Sequence, residues 1–533
     1  MHQAPGPCPF RNLLAEPEIA MTPSTSQAPG HPTSTPAHPR AVLKAVFTRW
    51  PGLTVFLCIA VVYVSTGTYG GNENRDTLSA AVAAWALGTH HTLNLAFLHP
   101  SKLAFPLWIV PGAHGMLVSN RFPGAVLLAA PLYSLVGGPY GPVPATLTAA
   151  LSAASACALL YKVIARFQPA RVALASTALF AFGTATWTVA GRELWEHSGS
   201  ELLLAAGMLA ILDRRWVASG LALGASVLFR PDLALVGVVL GVGLLWAERS
   251  WSTFVKFGAA TVPGVAGLFA WNWVAYGRLT VSGGYAGVRL MGQGPVRLVQ
   301  SITGNLVSPE RGLLVCTPIL LLAGAGLLPA WRRSSAVARL FAVAGLVCIL
   351  STLWFTPVTP HSDAFMTAGD DFIGNRYCLE GLLLAAPLLV EATVVSARRF
   401  GTAAAWVLST LSIAFFSAGA FVQGETWGVN VDPWDHWAPL QVAYLYGAFP
   451  TVLGGAIGIA AVAVTWALLR AKGTAPARLS NLDLPSEAEP SGPSFEPQRA
   501  ALKLAHVRRL RFAPLVARTE GGSATVDRRG LPC

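Results

Sequence analysis

The sequence predicts an all-α, polytopic membrane protein of about 12 to 13 transmembrane helices, with an interfacial helix in the first external loop. Of its 533 residues, 53% are hydrophobic and 12% are charged, whereas soluble domains carry roughly 25% charged residues. The mean hydropathy is +0.53, and apolar runs of about 20 residues, enough to cross a hydrocarbon core, recur along the chain. Such runs are too long for barrel strands, and helices satisfy their own backbone hydrogen bonds in lipid. An ordinary soluble enzyme is therefore excluded.

Thirteen apolar segments are candidate spans. A cytoplasmic N-terminus and a cytoplasmic C-terminus require an even number of crossings. Between residues 70 and 161, therefore, either one segment does not cross fully or an additional segment crosses. The stretches 95–118 and 122–137 are the two suspects. The candidate spans are 52–69, 122–137, 143–161, 172–190, 197–213, 216–229, 232–247, 253–274, 312–330, 336–356, 377–396, 401–422 and 446–470.

Basic residues set the orientation of these spans. The net charge is +12, and much of the excess lies in short clusters beside apolar runs, which is typical of cytoplasmic loops. No soluble basic domain is present to bind nucleic acid, so we do not expect that function. The clusters are Arg40, Lys44 and Arg49; Lys162, Arg166 and Arg171; Arg214 and Arg215; Arg332 and Arg333; and Arg398 and Arg399.

Three regions follow from this organisation: a disordered cytoplasmic tail at 1–45, a transmembrane domain at 46–470 and a largely disordered, basic cytoplasmic tail at 471–533. Within the last tail, 501–518 is either a helix on an anionic membrane surface or a solvated segment. The expected location is the plasma membrane, with membrane lipids as partners. Segments poor in Lys and Arg are the expected external loops, at 70–121, 275–311, 357–376 and 423–445.

The first external loop holds the main candidate site. Glu73, Arg75 and Asp76 follow the first span and precede an Ala-rich apolar helix at 78–87, which we expect to lie along the membrane. A lipid-linked substrate presents its headgroup at that depth, where a carboxylate can act as general base toward an acceptor hydroxyl. Asp76 has a second interpretation, as the N-cap of this helix, and the residues alone leave both open.

Further polar residues mark the ends of other spans. Arg121 is placed to meet a phosphate, or simply extends its charge to the interface. Glu193 and His197 flank a Trp that suits either a sugar or an interfacial aromatic belt. Asp371 and Arg376 end the loop at 357–376, where an Arg is a natural clamp for a leaving phosphate.

Arg230 lies in a break between two short apolar segments, and its neighbour Pro231 ends the first of them. The break either faces a polar cavity or the membrane interface, or it is a plain tight turn between helices. No metal site is predicted from spacing: the seven cysteines form no C-x-x-C pair, and the grouped histidines at 90, 91, 99 and 114 match no zinc pattern.

The order of these motifs resembles that of the GT-C superfamily of polytopic glycosyltransferases. The chain is most similar to the branch of protein O-mannosyltransferases and lipid A aminoarabinose transferases, in the form common in high-GC Gram-positive bacteria. The similarity runs from about residue 50 to 400, and its motifs after the acidic first loop are N-R-F-P-G (120–124), E-L-W-x-H (193–197), R-P (230–231), S-P-x-R-G (308–312) and G-N-R-Y (374–377).

The resemblance implies a polyprenyl-phosphate-linked sugar as donor and a cell-envelope glycan, lipid or protein as acceptor, with a first-loop carboxylate as base. We carry that role to Asp76. Many relatives pair two adjacent acids, whereas Glu73 and Asp76 lie three residues apart, so the identity of the base and any divalent-metal requirement stay open. The alternatives are a lipid or glycan transporter or flippase, a glycan polymerase or ligase, and a non-catalytic relative.

Overall fold

The computed structural model describes residues 50–70, 74–98, 108–285, 295–308, 311–355 and 374–421, with a few isolated residues between 449 and 460. The predicted tails at 1–45 and 471–533 and the predicted external loop at 423–445 lie outside the described residues. The candidate span at 446–470 lies almost entirely outside them as well.

The described chain is built from α-helices, with one β-hairpin among these residues. The hairpin pairs β1 (Ile109–Pro111) with β2 (Leu117–Ser119) in antiparallel register. The helices are α1 Pro51–Ser65, α2 Arg75–His90, α3 Pro123–Val136, α4 Val143–Ile164, α5 Ala170–Phe182, α6 Glu196–Leu212, α7 Trp216–Ser226, α8 Leu233–Glu248, α9 Trp251–Tyr276, α10 Pro295–Val307, α11 Leu313–Cys316, α12 Ile319–Arg333, α13 Ala336–Phe355, α14 Leu379–Phe400 and α15 Thr402–Gly419.

The predicted fold class is confirmed: the chain is an all-α, multi-pass membrane protein. Twelve of the thirteen candidate spans fall on described helices. By length and composition, five helices of the described residues are long and apolar enough to cross a membrane, namely α4, α9, α13, α14 and α15. Shorter apolar helices accompany them, namely α1, α3, α5, α7 and α8.

The core is centred on α4 and α14. In each of these helices, 67% of the most apolar 18-residue stretch is buried inside the protein. Alanines fill the inner faces of α4, and Ala149, Ala153 and Ala154 have no exposed surface. Small residues let helix backbones approach closely, which is how membrane helices pack without a hydrophobic driving force. Helices α1 and α6 accordingly pack against α4.

Two candidate spans are interrupted where the sequence predicted continuous helices. The segment at 172–190 stops at Phe182, and a single π-helical turn, Thr186–Ala190, follows. The segment at 312–330 is divided between α11 and α12 by Pro318, which cannot donate a backbone hydrogen bond and disfavours helical geometry in the residue before it. At both breaks the backbone is irregular, whereas a continuous helix would have had regular backbone there.

The stretch 95–118 does not form a span in its described part, because it holds the β-hairpin and a coil segment. The other suspect, 122–137, is the helix α3, with Pro131 inside it. The predicted external loop at 275–311 contains the helix α10. These corrections leave the helical organisation intact and locate the irregular structure between helices.

Candidate functional site

The first-loop helix α2 begins at Arg75, three residues before its predicted start, and Asn74 caps it. Asn74 Oδ1 accepts a hydrogen bond from the backbone N–H of Asp76 at 2.9 Å. The interpretation of Asp76 as the N-cap is therefore wrong, because Asn74 fills that role. The cap leaves the Asp76 carboxylate to make other contacts.

Asp76 contacts two arginines from distant parts of the chain. Arg121 Nη2 donates to Asp76 Oδ1 at 2.8 Å, and Arg376 Nη1 lies 3.8 Å from Asp76 Oδ2. Arg121 Nη1 is also 3.9 Å from Glu196 Oε1. We call these four residues the Asp76 cluster. Two carboxylates balance two guanidinium groups there, and low exposure strengthens their electrostatic interactions relative to water.

The Asp76 carboxylate is the accessible member of the pair that it forms with Arg121. Its side chain is 22% exposed, whereas that of Arg121 is 6% exposed. A small substrate group can therefore reach the carboxylate while the guanidinium stays fixed by its surroundings. This arrangement suits a carboxylate that must exchange a proton with a bound hydroxyl.

Aromatic rings hold Arg376 in place. Its guanidinium carbon lies 4.2 Å from the centroid of the Trp195 ring and 5.0 Å from that of Tyr377, and Nη2 donates to the Tyr377 hydroxyl at 3.0 Å. Burial lowers the pKa of Arg376, but Tyr377 and Asp76 raise it by more, so the net shift is upward. The result is a stacked, permanently charged guanidinium beside Asp76.

Gly374 and Asn375 set the path of the backbone into Arg376. Gly374 has φ +97°, and a Cβ there would lie 2.3 Å from the Phe416 ring, so glycine is required on both counts. Asn375 Nδ2 donates to Asn305 Oδ1 at 2.8 Å, and its Oδ1 accepts from the backbone N–H of Cys378. Each residue of the G-N-R-Y motif thus makes a contact or adopts a backbone conformation that explains why that residue type is present.

Glu193 anchors the first loop. Its carboxylate is buried and accepts from the Asn74 N–H at 3.0 Å, the Thr77 hydroxyl at 2.7 Å and the Thr68 hydroxyl at 3.1 Å. These donors lie on both sides of Asp76 in sequence. Although the sequence predicted that Glu193 contacts substrate, this geometry gives it a positioning role toward Asp76.

Replacing Glu193 by Ala is expected to lower both thermal stability and the activity proposed below. The Asn74 N–H and the Thr68 hydroxyl lose their acceptor, whereas the Thr77 hydroxyl can still donate to the Asn74 carbonyl at 2.9 Å. Each unsatisfied buried group costs about 1–3 kcal/mol. The check is the thermal midpoint and turnover of the purified variant in detergent. Glu248→Ala is the matched control, because Glu248 pairs with the exposed Arg214 at 3.4 Å and should change neither quantity measurably. Equal effects of the two substitutions would contradict the positioning role.

His197 and Arg230 meet in a second site around Glu380. Glu380 Oε1 accepts from His197 Nδ1 at 2.8 Å and from the Ser200 hydroxyl at 2.6 Å, and Oε2 accepts from Arg230 Nη1 at 3.1 Å. Arg230 Nη2 also donates to Asp232 Oδ2 at 3.0 Å. We call His197, Arg230, Asp232 and Glu380 the Glu380 network.

Two members of the Glu380 network, Arg230 and Asp232, lie in the helix break before α8. Residues 227–232 form the turn between α7 and α8, and the Arg230 side chain lies in the Glu380 network. Burial lowers the pKa of Arg230, but Asp232 and Glu380 raise it by more. The guanidinium is therefore charged and ion-paired inside the protein.

Among the remaining predicted site residues, Arg75 is exposed at the start of α2. Glu73 and Asp371 lie outside the described residues. Glu196 and Glu380 were not among the predicted site residues. For Glu380 a signal existed, because an ionisable residue inside an apolar span is itself a marker of function. Glu196 lies in the same polar segment as Glu193 and His197, but its contact with Arg121 depends on the rotation of α6.

Among the described residues, no group of three or more His, Cys, Asp or Glu side chains is arranged to hold a metal ion. Within the Asp76 cluster, Asp76 and Glu196 are the carboxylates, and Arg121 lies close to both. These two side chains are the candidates if a divalent cation takes part in the reaction.

Comparison with solved structures finds the oligosaccharyltransferase of Archaeoglobus fulgidus. Its apo crystal structure is 13% identical with a TM-score of 0.39, over 71% of this chain and 57% of that chain. The archaeal oligosaccharyltransferase AglB from the same organism, in complex with an inhibitory peptide and a dolichol-phosphate, is 14% identical with a TM-score of 0.36, over 77% and 56% of the two chains. This chain thus spans little more than half the length of either. No family model and no curated protein matches the sequence.

Proposed function

We propose that this protein is a membrane glycosyltransferase of the GT-C type. It moves a sugar from a polyprenyl-phosphate-linked donor to a hydroxyl of a cell-envelope acceptor on the external face of the plasma membrane. The observation that carries the proposal is the Asp76 cluster, in which a partly exposed carboxylate lies 2.8 Å from one buried arginine and 3.8 Å from a second. A base and a cationic clamp for phosphate are the two groups that such a transfer needs.

The proposed step is a single inverting displacement. The acceptor oxygen forms a bond to the anomeric carbon while the bond from that carbon to the phosphate oxygen breaks. The electron pair of the broken bond leaves with the lipid phosphate, and the hydroxyl proton passes to Asp76. The phosphate gains one negative charge, which Arg376 and Arg121 stabilise, so it needs no proton and no second catalytic carboxylate.

The ion pairs of Asp76 suit this order of events. A donor phosphate competes with the Asp76 carboxylate for the same two guanidinium groups, because both are anions that bind arginine. Donor binding would then release the carboxylate for the acceptor proton. Arg376 keeps its orientation through its contacts with Trp195 and Tyr377.

The test is reconstitution of the purified protein in liposomes with a panel of radiolabelled polyprenyl-phosphate sugars and a cell-envelope extract as acceptor. The proposal expects label in the extract and release of unlabelled polyprenyl phosphate. Movement of labelled lipid across the bilayer without a covalent product would instead establish a transporter or flippase. Absence of both outcomes with every donor of the panel would favour the non-catalytic relative.

A further inference from the structure

Helix α10 is amphipathic, but it exposes apolar side chains and buries polar ones, whereas a helix on a protein surface in water does the reverse. Several of its aliphatic side chains are exposed, among them Val296 by 71%, Val299 by 62% and Val307 by 40%. Two of its polar side chains are buried: Ser301 has no exposed surface and Asn305 has 2%. The polar face of α10 therefore lies against the protein and the apolar face lies outward.

Such a helix is stable where its surroundings are hydrocarbon. Contiguous exposed aliphatic side chains are unfavourable in water, and on a protein surface they mark an interaction site. The exposed apolar surface also includes the end of α9 and the residues after it, where Trp273 is 57%, Val274 is 56% and Leu279 is 69% exposed. Both the end of α9 and α10 thus present apolar surface suited to lipid.

The inner face of α10 is joined to the Asp76 cluster. Asn375 Nδ2 donates to both Asn305 Oδ1, at 2.8 Å, and the Asn305 carbonyl, at 3.0 Å. Asn375 directly precedes Arg376, whose guanidinium faces Asp76. Hydrogen bonds between Asn305 and Asn375 thus connect α10 to the residue next to Arg376, the candidate phosphate clamp.

We propose that the outer face of α10, formed by Val296, Val299 and Val307, is the docking surface for the hydrocarbon chain of the lipid-linked donor. The inference rests on the proposed function, since it assumes a lipid phosphate at Arg376. The chain attached to that phosphate has to pass from a polar site to an apolar surface. Helix α10 offers such a surface and is hydrogen-bonded to the residue beside the clamp.

The kinetic test compares donors that differ only in chain length. In the double variant Val296→Ser with Val299→Ser, the KM for a long polyprenyl-phosphate sugar is expected to rise about tenfold, because apolar contact with the chain is lost. Turnover with a donor of about ten chain carbons should be unchanged, since so short a chain makes little apolar contact. Val242→Ser, at a 51% exposed site of α8, is the matched control. An unchanged KM for the long donor, or an equal rise for both donors, would overturn the proposal.

A binding test separates this inference from the proposed function. A fluorophore is attached at Val299→Cys in a background where Cys58, Cys8 and Cys533 are Ser, and the protein is placed in nanodiscs containing lipids with a quencher on the acyl chain. Long-chain polyprenyl phosphate is expected to relieve the quenching at position 299 but not at Val242→Cys. Quenching that polyprenyl phosphate leaves unchanged would assign the face to bulk lipid and refute donor docking, whether or not transfer activity is found.

Discussion

Replacing Asp76 by Asn is expected to lower the rate of sugar transfer by a factor on the order of 10² to 10⁴, if the carboxylate acts as general base. The amide has nearly the same shape and its oxygen can still accept from Arg121 Nη2, so the helix and its cap at Asn74 should persist. The loss should appear in kcat more than in KM, because the proton is transferred in the transition state. Initial rates with the purified variant and a saturating lipid-linked donor measure it.

Glu196→Gln is the matched control for that experiment. Glu196 belongs to the same cluster, but its carboxylate lies 3.9 Å from Arg121, against 2.8 Å for Asp76. We expect a smaller decrease in rate from it, with the thermal midpoint of both variants close to that of the wild-type protein. Wild-type turnover in Asp76→Asn, or a larger loss in Glu196→Gln, would remove Asp76 from the role of base.

Replacing Glu380 by Ala is expected to destabilise the protein by up to about 3–5 kcal/mol, the range for removing one partner of a buried ion pair. Glu380 has no exposed surface, and its carboxylate holds Arg230 at 3.1 Å and His197 at 2.8 Å. Its removal leaves Asp232 as the carboxylate beside the Arg230 guanidinium, with the Thr352 hydroxyl at 2.9 Å, and takes the carboxylate partner from the His197 imidazole. Thermal or denaturant unfolding of the purified protein in detergent measures the change.

Glu391→Ala gives the comparison on the same helix. Glu391 also lies on α14, but its carboxylate accepts from the neutral amide of Gln168 at 2.6 Å, an interaction on the order of 0.5–1.5 kcal/mol. Glu380→Gln should fall between the two, since it keeps the shape of the side chain without its charge. If Glu380→Ala were no more destabilising than Glu391→Ala, the Glu380 network would not be a buried ion-pair network in the folded protein.

The helices were predictable because their signal is local. A run of apolar residues long enough to cross a bilayer favours a helix wherever it lies in the chain, and twelve candidate spans fall on described helices accordingly. The two helix breaks that the prediction missed arise from local backbone features. A π turn after Phe182 and a break at Pro318 divide segments whose hydropathy alone looks continuous.

The sequence predicted that the candidate site residues lie at the ends of spans, but not which of them contact one another. Asp76, Arg121 and Arg376 were each identified from a motif, and the structure brings these three together. Within the motif at 193–197, Glu196 is the carboxylate that lies near Arg121, whereas Glu193 accepts hydrogen bonds from the first loop. The difference arises because Glu196 opens α6 while Glu193 precedes it, and the sequence carries no record of the direction in which each side chain points.

The sequence by itself determined that the chain is a multi-pass helical protein and which of its few charged residues lie at helix ends, because hydrophobicity and periodicity act over one helix at a time. Only the tertiary structure decided which charges meet: Asp76 with Arg121 and Arg376, and Glu380 with His197 and Arg230. Those pairs depend on how helices distant in the chain pack and rotate against one another. That arrangement is set by interdigitating small side chains and by the cost of burying any charge unpaired.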